Sequence, residues 1–279
     1  MATKAATKSS ASPSTLTILS WNVNGLRSIL GKGFARVINE LRPDAVCLQE
    51  VKAFEKDVPH LAVELPDYQT FYSSAQKPGY SGVATLLRSP GLIPPEAILR
   101  NFSPTAVRFA REGRILILPL GEFSIYNLYF PSGTSGERRQ AEKYIFLDLF
   151  LNHLKQLNPK EKNKVIVCGD LNICHRPIDI HHPIEAERRK LTGFLPEERV
   201  WMDAFVAAGF TDTYRALHPE RKGEYSWWTY RAGARGKNLG WRIDYQFVAD
   251  ALAKRVTDAR LLTSIEGSDH CPTVLSIGL

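Results

Sequence analysis

An α/β fold is predicted by this 279-residue sequence on two observations. Apolar, β-rich runs alternate with stretches of helical periodicity, and several of the runs end abruptly in acids or amides. A polar group at the end of a buried strand stands rigidly at the rim of a sheet, where α/β proteins usually bind ligands. The first run, LTILSWNV from Leu16, delivers Asn22 and, just beyond, Asn24. A helix is predicted around Phe34–Leu41, then a strand AVCLQEV from Ala45 that carries Glu50. RILILPL and FSIYNLYF follow, with Gly121 and Glu122 between them as a hairpin turn, and a further strand-like run near Ala106 precedes them and turns at Glu112 and Gly113. From Gly136 to about Leu157, Tyr144, Leu147, Leu151 and Leu154 share one helical face, while Arg138, Arg139, Glu142 and Lys143 populate the start. KVIVCGD, from Lys164, is a buried strand entering the loop GDLN, which holds Asp170 and Asn172. A second helix begins near Pro196, turns Trp201, Phe205 and Val206 inward and stops at Gly209. Strands resume at RIDYQFVA, ARLLTSI and TVLSI, with Asp244 in the first and Asp269 and His270 between the last two.

An apolar content of 44% supplies a core and excludes a disordered chain. A formal charge of +7 and a pI near 9.2 favour an anionic partner such as nucleic acid. Cys47, Cys168, Cys174 and Cys271 show no CxxC spacing, so neither a disulfide framework nor a zinc knuckle is favoured and a reducing cytoplasm is expected. No apolar run approaches the roughly 20 residues of a membrane span, and the N-terminus lacks a signal peptide's apolar core. The expected location is therefore intracellular, in the cytoplasm with the nucleoid if the source is bacterial. Residues 1–15 are small, polar and lysine-bearing and are expected to form a disordered tail. A mitochondrial presequence is disfavoured there by the absence of Arg and of an amphipathic pattern. With no linker or short repeat, residues 16–279 are expected to form one mixed α/β domain.

The polar strand ends suit phosphodiester chemistry. Glu50 offers oxygen to a hard cation such as Mg²⁺, which often needs only one or two carboxylates plus the substrate phosphate; a strand-end ion pair with Lys52 is the plainer local alternative. Asp170 can take a proton from an attacking water while the Asn172 amide orients that water or a phosphate oxygen, although Asp and Asn also commonly cap turns. His270 can donate to a phosphoryl oxygen if a carboxylate holds its tautomer and its proton, and Asp244 is the candidate for that carboxylate. His175, His181 and His182 are irregularly spaced among prolines, so a solvated loop is preferred to a zinc site. In YSWWTYRAGARGKNLGWRIDY, Arg231, Arg235, Lys237 and Arg242 interleave with Trp227, Trp228 and Trp241, as on a nucleic-acid surface. A structural aromatic cluster with a basic loop is the alternative, and Trp228 can be core while Trp227 faces out.

Taken together, SWNVNGLRS, LQEVK, GYSGV, YFPSGT, CGDLNICH, GFLPEER, GWRIDY and SDHCP, in this order from Ser20 to Pro272, resemble the exonuclease III family of apurinic/apyrimidinic endonucleases. The resemblance runs from about Thr17 onward; LQE is shared across the wider endonuclease/exonuclease/phosphatase superfamily, whereas GWRIDY preceded by an aromatic run, together with GFLPEER, is far more specific to its DNA-repair branch. It implies a four-layered α/β sandwich, two packed mixed sheets flanked by helices. It implies Mg²⁺, with Mn²⁺ as substitute, on Glu50 aided by Asn22, Asn24 or Asp269. Asp170 would position and deprotonate water beside Asn172; His270, oriented by Asp244, would stabilise the scissile phosphate with Tyr129, and Asp269 stands in the same catalytic set. Trp227, Trp241 and Ile243 match the pocket for a flipped-out, base-less sugar, with Tyr80, Arg235, Lys237 and Asn238 as further substrate contacts. Asn24 departs from the family's Asp, which weakens a two-metal proposal, and Ser132 stands where Asn or Gln is usual.

The activity implied is metal-dependent cleavage of duplex DNA 5′ to abasic sites, by a monomer, with possible 3′ exonuclease or 3′ phosphatase action on blocked 3′ ends. The same scaffold hosts sphingomyelinases and inositol-polyphosphate phosphatases, against which the basic aromatic segment argues. A non-catalytic DNA-binding member would have little reason to keep Glu50, Asp170, Asp244, Asp269 and His270 together.

Overall fold

The structure, a computed structural model, describes residues 15–88 and 93–279. The expected tail thus lies outside the described residues except for Thr15, which already opens the first strand. Strands run β1 (Thr15–Asn22), β2 (Ala45–Gln49), β3 (Tyr68–Ser73), β4 (Val83–Arg88), β5 (Ile115–Leu120), β6 (Phe123–Tyr129), β7 (Val165–Asp170), β8 (Phe210–Asp212), β9 (Asp244–Ala249), β10 (Val256–Leu261) and β11 (Thr273–Gly278). They form a six-stranded sheet in the order β10-β11-β1-β2-β4-β3 and a five-stranded sheet in the order β5-β6-β7-β9-β8. Both sheets are mixed, with β1 parallel to β2 and β6 parallel to β7 among antiparallel neighbours.

The layering follows from strands that are apolar on both faces. Ile18, Cys47, Leu87, Leu116, Ile125, Ile166, Val248 and Leu275 meet between the sheets. On the outer face of the first sheet, Leu19, Trp21, Val46 and Leu48 pack against Phe34 and Ile38 of the helix Phe34–Leu41. On that of the second, Ile117, Leu128, Val167 and Phe247 receive the helices Glu137–Gln156 and Pro196–Ala207. Four layers result, as the resemblance implied. The long helix turns Lys143, Phe146, Leu147, Phe150, Leu151 and Leu154 inward, so its buried stripe carries one charge. In Pro196–Ala207 Trp201, Met202 and Phe205 are buried, and Val206 is half-buried.

The run near Ala106 is not a strand. Pro104–Ala106 is a 3-10 turn, capped by Ser103, whose Oγ accepts from Thr105 N at 3.3 Å, and Val107–Arg111 is helical. Burial of Ala106 and Phe109, three apart, gives this segment a helical repeat. A single bridge from Leu99 to Ile117 stands where the expected third strand would pair.

Register brings the polar strand ends together. Parallel pairing sets Asn22 opposite Gln49, which places Glu50 one residue beyond, and sets Tyr129 opposite Asp170; antiparallel pairing sets Asp170 opposite Asp244. Gly169 permits this row: its φ is +146°, and an added Cβ would lie 1.9 Å from Leu128 O on the neighbouring strand. Any side chain there would pry β6 from β7 one residue before Tyr129 and Asp170.

Candidate active site

A cavity of about 450 Å³ opens where these strand ends meet, lined on one side by Glu50, Tyr129, Asp170, Asn172, Asp269 and His270. Asn22 Nδ2 donates to Glu50 Oε1 at 3.0 Å and to Asp170 Oδ2 at 2.9 Å, tying the two sheets across the floor. The Tyr129 hydroxyl donates to Glu50 Oε1 at 2.8 Å. Asp170 Oδ1 accepts the Asn172 amide N–H at 2.8 Å, and His270 Nε2 lies 4.0 Å from Asp170 Oδ2. Behind it, His270 Nδ1 sits 2.8 Å from Asp244 Oδ2, which also accepts from Ser226 Oγ at 2.6 Å. Glu50, Asn172 and Asn24 leave their strands with φ of 50°, 53° and 46°. For Glu50, which has no Asn-like tolerance of this region, the turn costs about 1–2 kcal/mol and marks a position held by its surroundings.

Burial and charge set the protonation states. Burial pushes the Asp170 carboxyl up, and neighbouring Asp244 adds to it, to about 7. For His270 burial works downward, but Asp244, Asp170 and Asp269 outweigh it and raise the imidazolium to about 10. Burial, then Glu50, lifts the Tyr129 phenol well above its ordinary value, so it remains an O–H donor. At Glu50 burial is overcome by Lys52, whose Nζ lies 2.7 Å from Oε2, and by Asn22, so its carboxyl is held below the usual range. The Lys52 pairing and a place on the floor thus coexist at one residue.

Among the described residues, the acid and histidine ligand atoms that converge belong to Glu50, Asp170 and His270, within 4.8 Å of one another. A protonated His270 is a donor and not a ligand, which leaves carboxylate oxygens, the donor set of a hard cation. Two expected ligands are otherwise engaged. Asn22 turns its NH₂ toward the carboxylates while its Oδ1 accepts Asn24 N at 3.0 Å. Asn24 donates from Nδ2 to Asp269 Oδ1 at 2.9 Å, and its Oδ1 accepts from Lys52 Nζ at 2.5 Å. The Asn172 side-chain NH₂ donates to Phe130 O at 3.1 Å, so it braces the turn while the residue lines the cavity.

The opposite wall is apolar. Trp227, Trp241, Ile243 and Leu191 line it, with Trp227 and Trp241 edge to face at 90° and 6.0 Å. Trp227 Nε1 donates to Asp269 Oδ2 at 3.1 Å, joining wall to floor, while Trp228 is buried. Arg235 does not face the cavity: its guanidinium donates to the carbonyls of Ser268, Thr263 and Ile265 at 2.9, 3.0 and 2.6 Å and stacks on Trp228. Asn238 likewise accepts from Trp228 Nε1 at 3.1 Å and donates to Gly223 O at 2.8 Å. Both therefore fasten the loop, whereas Lys237 is exposed at its surface. Tyr80 stands behind the floor, its hydroxyl accepting from Arg114 at 3.1 Å and Arg139 at 2.9 Å; Arg114 in turn lies over the Tyr129 ring at 4.5 Å and donates to Tyr129 O. His175 and His181 point apart, to Asp203 Oδ1 and to Gly240 O. The four cysteines are buried free thiols.

Two buried ionic groups were not foreseen as such, and Arg242, read from the sequence with the cations of a nucleic-acid surface, belongs to one of them. Arg242, between the lining residues Trp241 and Ile243, donates to Asp179 Oδ1 at 2.8 Å and Asp212 Oδ2 at 2.7 Å, and Arg215 shares Asp179. Lys143 pairs with Glu198 beneath the cavity, and here a signal existed: a lysine within an apolar helical stripe.

Similarity to known proteins agrees with this geometry. The profile of the Endonuclease/Exonuclease/phosphatase family matches residues 19–270. An exodeoxyribonuclease of Bacillus subtilis is 35% identical over 263 residues, covering 94% of this chain and 99% of that protein. The DNA repair nuclease APEX1 of Danio rerio is 34% identical over 264 residues, 94% of this chain and 82% of that one. The solved structure of an AP endonuclease from Archaeoglobus fulgidus superposes with a TM-score of 0.80 at 26% identity, over 95% of this chain and 100% of that one.

Proposed function

The chain belongs to the Endonuclease/Exonuclease/phosphatase family, and from that premise we propose that it is a divalent-metal-dependent phosphodiesterase that cuts duplex DNA 5′ to abasic sites. It leaves a 3′ hydroxyl and a 5′ deoxyribose phosphate, and acts as a monomer through a catalytic domain spanning residues 16–279. The observation that carries this reading is the Asp244–His270 couple facing Glu50 and Asp170 beside an apolar slot. A cation donor, an acid pair and a base-free pocket share one cavity. The AP endonuclease and DNA repair nuclease among its relatives support the same substrate class. No described helix is long and apolar enough to cross a membrane, and the substrate places the work wherever the cell keeps its DNA.

The Glu50 carboxylate, with Asp269 adjoining, would hold Mg²⁺ beside Asp170, and the ion when bound would supply Lewis-acid polarisation of a phosphoryl oxygen. Asp170 takes the proton of the attacking water; its raised pKa matches a base working near neutrality. As the water oxygen bonds to phosphorus and the bond to the 3′ oxygen breaks, the leaving oxygen takes a proton from solvent. His270 donates from Nε2 to the phosphoryl oxygen on which charge builds, and Asp244 holds it charged. Tyr129 fixes Glu50 and offers a second polar contact at the same edge. Trp227, Trp241 and Ile243 receive a sugar that carries no base, while a normal nucleotide must first unstack at a cost of a few kcal/mol.

Incubating the protein with a duplex bearing one tetrahydrofuran abasic analogue, with and without EDTA, tests this. A single 5′ incision abolished by EDTA and restored by Mg²⁺ is expected; cutting only from 3′ ends would make the exodeoxyribonuclease activity named for the Bacillus relative the main one.

A further inference from the structure

We propose that the buried Lys143–Glu198 ion pair is a positioning device that holds the Asp170 turn and the sugar-side wall of the cavity at one fixed separation. Both side chains are 0% exposed, and Lys143 Nζ lies 2.5 Å from Glu198 Oε1. The same ammonium donates to Asn172 O at 2.8 Å, and Asn172 N in turn holds Asp170 Oδ1. Glu198 reaches the other way. Its Oε2 accepts the amides of Gly193 at 2.6 Å and Leu195 at 3.0 Å, and its Oε1 accepts Gln140 Nε2, whose carbonyl is bound by Thr192 Oγ1. Leu191, Thr192 and Gly193 line the cavity, and Gly193 (φ +91°) is so close to Trp241 that a Cβ would lie 3.0 Å from the ring. One ion pair thus connects the carboxylate that acts as base to the backbone on which the slot's tryptophan rests.

Packing alone does not account for a charge at this place. Desolvating two ions is costly, and well-packed apolar residues of similar volume often serve stability as well or better. Phe146, Leu147 and Phe150 on the same stripe show that the helix fills its inner face with such residues. What apolar side chains cannot do is donate to a carbonyl on one loop while accepting from two amides on the other. Small displacements of reacting groups far from the mutated site are expensive, so a pair acting through Asp170 should register in turnover more than in binding.

The inference rests on the phosphodiesterase reading, and the test separates the two. Lys143→Met/Glu198→Gln and Glu198→Gln alone are compared with the parent protein in kcat and KM on the abasic-analogue duplex, in melting, and in amide hydrogen exchange of DNA-free protein. The double variant is expected to melt near the parent, to lose about 10²-fold in kcat with KM within about twofold, and to exchange faster in both the 170–173 and 191–195 segments. Parent-like kcat in a stably folded double variant overturns the proposal, as does a rise in KM at constant kcat or faster exchange in one segment only. Should the double variant not fold, the isosteric Glu198→Gln is judged by the same criteria. If the parent leaves the abasic duplex intact, the phosphodiesterase reading falls, and the exchange comparison alone decides for or against the coupling.

Discussion

The floor of the cavity and its aromatic wall reach comparable order by different means. On the floor, Asn22, Glu50, Tyr129, Asp170 and Asp244 stand at or next to the ends of paired strands, and ladder register fixes their Cα positions. The wall, Ser226 to Ile243, precedes β9 and has almost no ladder of its own. Trp227 and Trp241 exchange two backbone hydrogen bonds at 2.9 Å, single backbone bonds such as Trp228 N to Asp269 O and Arg242 N to Asp179 O tie the wall to neighbouring loops, and side chains add to them: Arg235 on three carbonyls, Arg242 on Asp179 and Asp212. A floor residue can therefore lose its chemistry without losing its place. Wall residues carry shape and support together.

The sharpest test of the floor is Asp170→Asn, expected to lower kcat by about 10²- to 10⁴-fold, the usual worth of a general base, with duplex affinity and melting nearly unchanged. His270→Ala is expected to cost about 10²- to 10³-fold in kcat on the same duplex. A loss expressed mainly as weaker binding would move either residue from chemistry to positioning.

Next in size, Glu50→Gln removes a carboxylate from the acid pair, so incision should need a markedly higher Mg²⁺ concentration; titrating the metal at fixed substrate reads this directly. Trp241→Ala should act differently, reducing the ratio of abasic to undamaged-duplex cleavage by roughly tenfold, since one apolar contact in a slot is worth about 1–3 kcal/mol of discrimination. An unchanged ratio in a protein of lower Tm would make Trp241 a support and nothing more.

The pH profile probes the floor without mutation. Asp170 works deprotonated and His270 protonated, so kcat/KM should rise with pH up to about 7 and fall above about 10. Because a cation beside Asp170 favours its charged form, the acidic limb should move to lower pH as Mg²⁺ saturates. A limb that moves up with metal would contradict the assignment.

The smallest effects belong to the loop cations. Lys237→Ala should reduce the slope of log affinity against log salt by about 0.9, the value of one phosphate contact. Arg235→Ala should leave the slope alone and lower Tm, because it strands three carbonyls that the guanidinium satisfies. Salt titrations and melting curves on the two variants distinguish a surface cation from a buttress.

The same contrast explains what could be read from the sequence. Asp170, Asp244 and His270 were legible because an acid or imidazole that interrupts an apolar run reports its own position at a strand end. The loop-fastening bonds of Arg235 and Asn238 were not legible, because a cation or amide that reaches phosphate and one that reaches loop carbonyls look alike in one dimension. The orientation of Asn22 and Asn24 was not legible for a related reason: an amide has an oxygen end and an NH₂ end, and only the neighbours decide which end faces the carboxylates. The Asp179–Arg215–Arg242 group was invisible, since its partners lie 36 and 63 residues apart and no spacing encodes them. The segment near Ala106 failed through a short apolar run whose period admits either structure.

Finally, β11 lies against β1, and the Trp21 indole donates to His270 O across 249 residues of sequence. The strand that follows the proposed phosphate donor is thus seated at the heart of the first sheet, beside the strand that begins it. His270 is therefore set beside the floor acids by a pairing between strands far apart in sequence, and contacts this distant form slowly.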